Sequence, residues 1–357
     1  MKDTPVQSNF FIIGLPRSGT TLLEQMLDAH SKVAVCPEIS SGMAFSRILK
    51  EDEAIDYQKG LLLLNAFHQW AKSFDDPIKD CLNQLATTES YYPLNPSEFY
   101  DTLMKLYTTT KKAEIFGEKT PENLFYLPTI KRILPHSKYI VLIRNPMDVL
   151  LSICECLGLA LKESVTDRLI FQLAPIVKKG LHELYVKKNL VGQKQIWIHY
   201  ETLIANPEST LNDLCQFLDI TYEQEMMAFQ FRKKFVEGAT YDRIIHQGLD
   251  QPISNARIDR YKQVFTKQQI YWIYLYLLPE IQFLPYKFEP EKVSLPIKKH
   301  LKLIYLRLVF ALRFQAISEF KKRSHHQIKY QLIKLFGHSF IGKYLTRNLK
   351  WDKADWV

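Results

Sequence analysis

Long apolar runs are missing from this chain. The stretch Phe10–Gly14 is far shorter than a membrane span or a signal-peptide core, residues 1–8 carry no basic leader region, and residues 301–317 are interrupted by Lys302, Arg307 and Arg313. A cytoplasmic protein is therefore the expectation. Cysteine is scarce as well. Cys36, Cys81, Cys154, Cys156 and Cys215 form no even, closely spaced framework, which argues against a disulfide scaffold. Cys154 and Cys156 stand two apart in a helical pattern and so face different sides, which argues against a metal pair and leaves buried reduced thiols. A uniform positive field is also absent. Although the net charge is +9, residues 291–357 hold 15 Lys and Arg against 4 Asp and Glu, and residues 1–290 hold 32 against 34. The body is neutral and the excess belongs to a basic appendage, so a nucleic-acid-binding body is not expected.

What is present is enough apolar and aromatic material, 46% and 13% of the residues, to bury a large core. Short β-rich runs at Phe10–Gly14, residues 139–143 and Gln195–His199 each precede a segment of helical period. That alternation predicts an α/β fold, a parallel sheet flanked by helices. Residues 40–113, with Leu61 to Leu64, Phe67, Trp70, Leu82 and Leu85 at helical spacing, predict a helical insertion over the sheet edge, where substrate selection usually sits. Pro285, Pro290 and Pro296 punctuate the chain and place a boundary near 290. The expected organisation is one domain over 1–290 and a basic, helical C-terminal extension over 291–357.

Gly14-Leu15-Pro16-Arg17-Ser18-Gly19-Thr20-Thr21 follows the first strand and opens a helix with Leu22, Leu23, Met26 and Leu27 on its apolar face. This is the context of a phosphate loop, in which glycines permit tight turning and backbone N–H groups converge on an anionic oxygen. The loop lacks the usual Lys before its Ser/Thr, because Thr20 stands there. A nucleoside-triphosphate hydrolase would lose the side chain that reaches its terminal phosphates; here Arg17 supplies the charge and Thr20 and Thr21 supply hydroxyls. Farther on, a buried strand delivers Arg144 at its C-terminal end, and Asn145-Pro146 starts a helix as N-cap and first residue.

With these motifs in this order, residues 9–270 resemble the sulfotransferases that use 3′-phosphoadenosine 5′-phosphosulfate (PAPS), and within them the tyrosylprotein-type and related bacterial branch, whose loop reads P-R-S-G-T-T. The resemblance implies PAPS as co-substrate, 3′,5′-adenosine bisphosphate as product, and Arg17, Ser18, Gly19, Thr20 and Thr21 around the 5′-phosphosulfate. It implies that Arg144 and Ser152 hold the 3′-phosphate, a task suited to the planar fork of Arg. In the stretch 251–261, Arg260 falls where the family has a Lys or Arg before an aromatic, with Arg257 as the alternative. The segment His199-Tyr200-Glu201-Thr202-Leu203 and the helix over 210–218 read as scaffold.

The resemblance also assigns the reacting centre. Glu38, placed just after the first helix in Cys36-Pro37-Glu38, is the candidate base. Lys119, in Gly117-Glu118-Lys119-Thr120-Pro121, is the candidate cation for the developing charge on the bridging oxygen, and Glu118 is read as its surface ion-pair partner. No metal is required in principle. His30 and His199 are the nearest histidines, and another branch of the family uses a His base, but His30 ends a helix and Glu38 is favoured. The family's Arg/Glu-rich sequence after the base is replaced by Ile39-Ser40-Ser41, so the acceptor stays open: a hydroxyl on a sugar, a small molecule or a peptide. A P-loop kinase and a non-catalytic nucleotide-fold protein tethered by its basic tail are the competing readings. For the tail, an extra packed helix and a peripheral contact with an anionic membrane surface both stand.

Overall fold

The computed structural model describes residues 9–49, 54–71, 77–161, 165–190, 192–231, 253–278 and 280–320. The chain divides into two compact units, residues 1–294 and 295–357. In the first, β1 (Phe10–Gly14) leads to α1 (Thr20–Asp28), β2 (Val33–Cys36) and the helices α2 (Ser41–Ile48), α3 (Tyr57–Ala71), α4 (Ile78–Thr87) and α5 (Pro96–Lys111). Then come β3 (Ile115–Lys119), a 3₁₀ turn (Pro121–Tyr126), α6 (Leu127–Ile133), β4 (Lys138–Ile143), α7 (Pro146–Leu161) and α8 (Asp167–Lys187). The strand β5 (Gln195–His199) is followed by α9 (Tyr200–Ala205), α10 (Pro207–Leu218), α11 (Tyr261–Val264) and α12 (Lys267–Leu277); the described part of the second unit is dominated by α13 (Ile297–Phe320).

The five strands form one parallel sheet in the order β2-β3-β1-β4-β5. Phe10 to Ile13 are at most 1% exposed, as a parallel strand covered on both faces requires, and this is why the segment reads as a continuous apolar run. Leu23, Met26 and Leu27 of α1 and Leu211, Leu214 and Leu218 of α10 join the β-strand residues in one cluster. The three strands expected from sequence are present, and the 40–113 region is helical through α2 to α5 in its described parts. Cys154 is buried and Cys156 half-buried on α7, as their two-residue spacing implied.

Two short strands went unread. β3, Ile-Phe-Gly-Glu-Lys, ends in charged residues that resemble surface sequence, yet all five of its residues are buried. β2 is four residues long, and its presence moves Glu38, which follows a strand and not the first helix. Because every strand runs the same way, the segments after Gly14, Cys36, Lys119, Ile143 and His199 emerge at one edge of the sheet. Central β1, flanked by β3 and β4, sits where the connections depart to opposite sides, the position at which such sheets bind ligands.

Gly14 marks how closely the strands approach there. A Cβ on it would stand 2.4 Å from the Leu142 carbonyl oxygen and 3.1 Å from Ser18 Oγ. The first is backbone in the middle of the sheet and cannot step aside. Gly14→Ala is expected to lower stability by about 2–3 kcal/mol, read as a reduced urea midpoint with unchanged slope; an unshifted midpoint would show that the strands can separate at this point.

Candidate functional site

Between β1 and α1 the chain curls on two residues of positive φ, Arg17 at 70° and Gly19 at 101°. Ser18 closes the turn, its N–H (3.2 Å) and Oγ (2.7 Å) both donating to the Leu15 carbonyl. The Ser18 hydroxyl is thus committed inside the loop. Gly19 is the N-cap of α1 and no side chain caps that helix, which leaves the first N–H groups, those of Thr20 and Thr21 among them, turned to the strand-end crevice. Thr20 is buried and Thr21 half-buried. A Cβ on Gly19 would meet the Tyr200 ring at 2.5 Å, so Gly is required both by φ and by this contact.

Tyr200 is engaged by Arg144 too: the Arg144 guanidinium lies 4.4 Å from its ring centroid, a stacking arrangement that Arg favours. Tyr200, read as scaffold from sequence, belongs to the site. Arg144 donates through Nη1 to the Arg17 carbonyl (3.2 Å) and through Nη2 to the Arg257 carbonyl (2.6 Å), while its buried Nε has no hydrogen-bond partner. Arg17 Nε donates to Ser152 Oγ at 3.2 Å. The predicted loop, strand-end Arg and helix Ser therefore form one contiguous group.

A cavity here is lined by Arg144, Asp148, Ser152, Glu155, Arg257 and Arg260, with Leu151. Asp148 clamps the later segment onto α7: its carboxylate accepts from the backbone N–H of Asp259 (2.8 Å) and Tyr261 (3.0 Å). Burial pushes this carboxyl above the ordinary range, opposed by the Tyr261 N–H, Arg144 and the Asp259 N–H. Arg260 grips Glu155 with both guanidinium arms, at 2.7 and 2.6 Å. Both open candidates from the 251–261 stretch reach the cavity, Arg260 by its side chain and Arg257 also through the carbonyl that holds Arg144; residues 251 and 252 lie outside the described residues. Asn145 caps α7 as expected, accepting from the Met147 N–H at 2.9 Å. Its own N–H is held by Glu201 (2.9 Å), which also accepts from the Tyr286 hydroxyl (2.7 Å).

Lys119 and Glu38 meet where β3 and β2 end. Lys119, 1% exposed, donates from Nζ to Glu38 Oε1 at 2.6 Å and ion-pairs with Glu24 at 3.3 Å. Burial acts to lower its pKa, but the charges of Glu38 and Glu24 outweigh burial and hold it above the ordinary Lys value. The Glu38 side chain is 31% exposed, so the pair joins a buried cation to a reachable carboxylate.

Glu118 does not pair with Lys119. Neighbouring strand residues point to opposite faces, and Glu118 is fully buried on the other side. There its carboxylate accepts from the Ser41 N–H (3.2 Å) and hydroxyl (2.5 Å), Tyr100 (2.7 Å), Thr120 (2.8 Å) and Asn123 (2.8 Å). This hub shapes the two turns that follow β2 and β3. Those turns line a second cavity, with Ser40, Thr120, Glu122, Phe125 and Tyr126 facing Lys179.

Glu122 escaped the sequence reading; the available signal was a carboxylate three residues beyond Lys119 in a turn after a strand end. Burial first, and then the Glu38 charge, raise its carboxyl to about 7. A carboxyl raised in the folded state binds more protons folded than unfolded, so its contribution turns unfavourable as pH rises from the unfolded value of 4.5 through about 7. Glu122→Gln is expected to match the wild type at acid pH and to exceed it by about 1–3 kcal/mol above neutrality. Thermal unfolding across that range tests this, and a pH-independent difference would contradict it.

His30 and His199, the two histidines nearest the motifs, are engaged elsewhere. His30 Nδ1 accepts from the Lys32 N–H at 3.0 Å and Nε2 lies 2.7 Å from the Thr221 carbonyl, which assigns the proton to Nε2 and commits both nitrogens to the backbone. His199 packs edge-on against the Tyr286 ring, with its pKa lowered by burial.

The Sulfotransferase family model matches residues 9–224. Protein-tyrosine sulfotransferase A of Caenorhabditis elegans is 26% identical over 221 residues, 61% of this chain and 51% of that one. Protein-tyrosine sulfotransferase 1 of Danio rerio is 24% identical over 242 residues, 63% of this chain and 56% of that one. The chain thus spans a little over half the length of these two relatives. Among solved structures, the sulfotransferase domain from the curacin biosynthetic pathway has the same fold, with a TM-score of 0.51 at 20% identity over 80% of this chain and all of that one. Since the family model covers more than half of its residues, this chain belongs to the sulfotransferase family.

Proposed function

We propose that the protein transfers a sulfuryl group from PAPS to an acceptor hydroxyl. The observation that carries this reading is Arg144: a buried guanidinium, stacked on Tyr200 and bonded to the phosphate loop, whose Nε is left without a partner at the strand ends. A buried donor without an acceptor is costly unless a ligand supplies one, and an uncapped helix N-terminus beside it calls for an anion. The residues suit a nucleotide with two anionic groups. The loop residues Arg17, Ser18, Gly19, Thr20 and Thr21 cradle the 5′-phosphosulfate through backbone N–H groups, the Arg17 side chain and the Thr hydroxyls. Arg144 and Ser152 hold the 3′-phosphate, and Arg260 joins them on exchanging Glu155 for phosphate.

The acceptor enters from the second cavity, whose Glu122 feels the charge of Glu38. Its oxygen forms a bond to sulfur while the bond from sulfur to the bridging phosphate oxygen breaks, and its proton passes to Glu38. Lys119 and Arg17 stabilise the charge that collects on the departing phosphate; such preorganised cations are a large source of rate enhancement. Phe125 and Tyr126 give the acceptor cavity apolar walls, which suit an aromatic or alicyclic alcohol as well as a peptide side chain.

Calorimetric titration with 3′,5′-adenosine bisphosphate, beside ATP with Mg²⁺, tests the donor assignment. Micromolar binding of the bisphosphate with weak binding of ATP is expected. Absence of bisphosphate binding overturns the reading, and tight Mg²⁺-dependent ATP binding transfers the site to a kinase.

A further inference from the structure

Among the described residues, the helix α13 carries an exposed apolar stripe. Ile297, Leu301, Ile304, Tyr305 and Leu308 are 78%, 61%, 54%, 53% and 56% exposed. At about 100° per residue these five fall within an arc of roughly 100°. Isolated exposed apolar residues are ordinary, but a contiguous stripe marks an interaction surface. On the opposite side of the helix Leu303 is buried. Cations border the stripe. Lys298 and Lys302 lie along one margin and Arg307 along the other, and Lys302 Nζ sits 5.2 Å from the Tyr305 ring centroid. No helix among the described residues is long and apolar enough to cross a membrane.

We propose that the exposed face of α13 binds an anionic lipid surface, with the helix lying in the interfacial plane, the stripe toward the acyl chains and the bordering cations at the lipid phosphates. The charge pattern selects this occupant. Lys298, Lys302 and Arg307 border the stripe and no acidic residue lies between 297 and 308, so a second copy would bring like charges together along the same margins. A nucleic acid offers phosphates but no apolar phase for five hydrophobic side chains. An anionic bilayer offers both, and amphipathic helices with basic margins partition there by apolar burial plus attraction to lipid headgroups. This inference is independent of the sulfuryl-transfer reading.

Co-sedimentation of the full chain with vesicles tests it, using phosphatidylcholine alone and phosphatidylcholine mixed with phosphatidylglycerol. Binding to the anionic vesicles only, weakening as salt rises, is expected. The double variant Lys298→Glu/Lys302→Glu should weaken partitioning more than ten-fold, since each basic side chain at such a surface strengthens it about five-fold. Ile304→Glu/Leu308→Glu should weaken it comparably. Unchanged thermal unfolding shows that both variants fold. Vesicle binding that survives Ile304→Glu/Leu308→Glu overturns the proposal. So does binding to duplex DNA but not to vesicles, or a concentration-dependent dimer that Leu308→Glu dissociates in a chain that ignores lipid.

Discussion

Arg144→Ala is expected to weaken binding of 3′,5′-adenosine bisphosphate by roughly 2–5 kcal/mol, the usual cost of truncating one partner of a buried charge pair, which is about 30- to several-thousand-fold. The loss has two sources. The guanidinium fork is removed, and the carbonyls of Arg17 and Arg257 that it holds lose their donor, which loosens the loop and residue 257 while Asp148 still holds residues 259–261. Arg144→Lys separates these: it keeps a charge but not the fork or the stacking on Tyr200, and an intermediate affinity is expected. Calorimetry reads both variants, and unchanged thermal unfolding of Arg144→Lys guards against a collapsed site. Wild-type affinity in Arg144→Ala would remove the donor site from the end of β4.

Glu38→Gln is expected to lower kcat by about 10²–10⁴, the usual contribution of a general base, and to leave bisphosphate affinity unchanged. Gln preserves the size of the side chain and an acceptor oxygen for Lys119 but cannot take the acceptor's proton. Lys119→Met is the less clean experiment. It removes the cation 3.3 Å from Glu24, a carboxylate whose side chain is 1% exposed, and breaking a buried ion pair typically costs about 3–5 kcal/mol. The measurement is single-turnover transfer from labelled PAPS to a phenolic acceptor that the wild type accepts. A Glu38→Gln enzyme with full kcat would deny Glu38 the role of base, and since both His30 nitrogens face backbone groups, Glu122 would become the next carboxylate to test.

Some of this site was legible in one dimension. The phosphate loop spells its own turn, because glycine at position 19, Arg17 and Ser18 occur together between an apolar run and a helical pattern. Asn145-Pro146 announces a helix start, and Arg144 stands directly before it. β3 was hidden because its last two residues are charged, and hydrophobic periodicity cannot register a strand whose buried side chains are Glu118 and Lys119. With β3 unread, Glu118 and Lys119 looked like a surface pair, although the pleat sends one to a hydroxyl-rich pocket and the other to two carboxylates.

By itself the sequence determined the local grammar: three of the five strands, where the loop after β1 turns, where α7 begins and that the excess of positive charge is confined to residues 291–357. Those are properties of neighbours in the chain, set by φ/ψ preference and by the periods of apolar residues. Only the tertiary structure decided that Tyr200 meets both Gly19 and Arg144, that Asp148 fastens residues 259–261 beside the cavity lined by Arg144 and Ser152, and that Glu122 shares a pocket with Ser40. Each joins segments tens of residues apart or more. Their partners are chosen by the strand order β2-β3-β1-β4-β5, which gathers distant strand ends at one edge of the sheet.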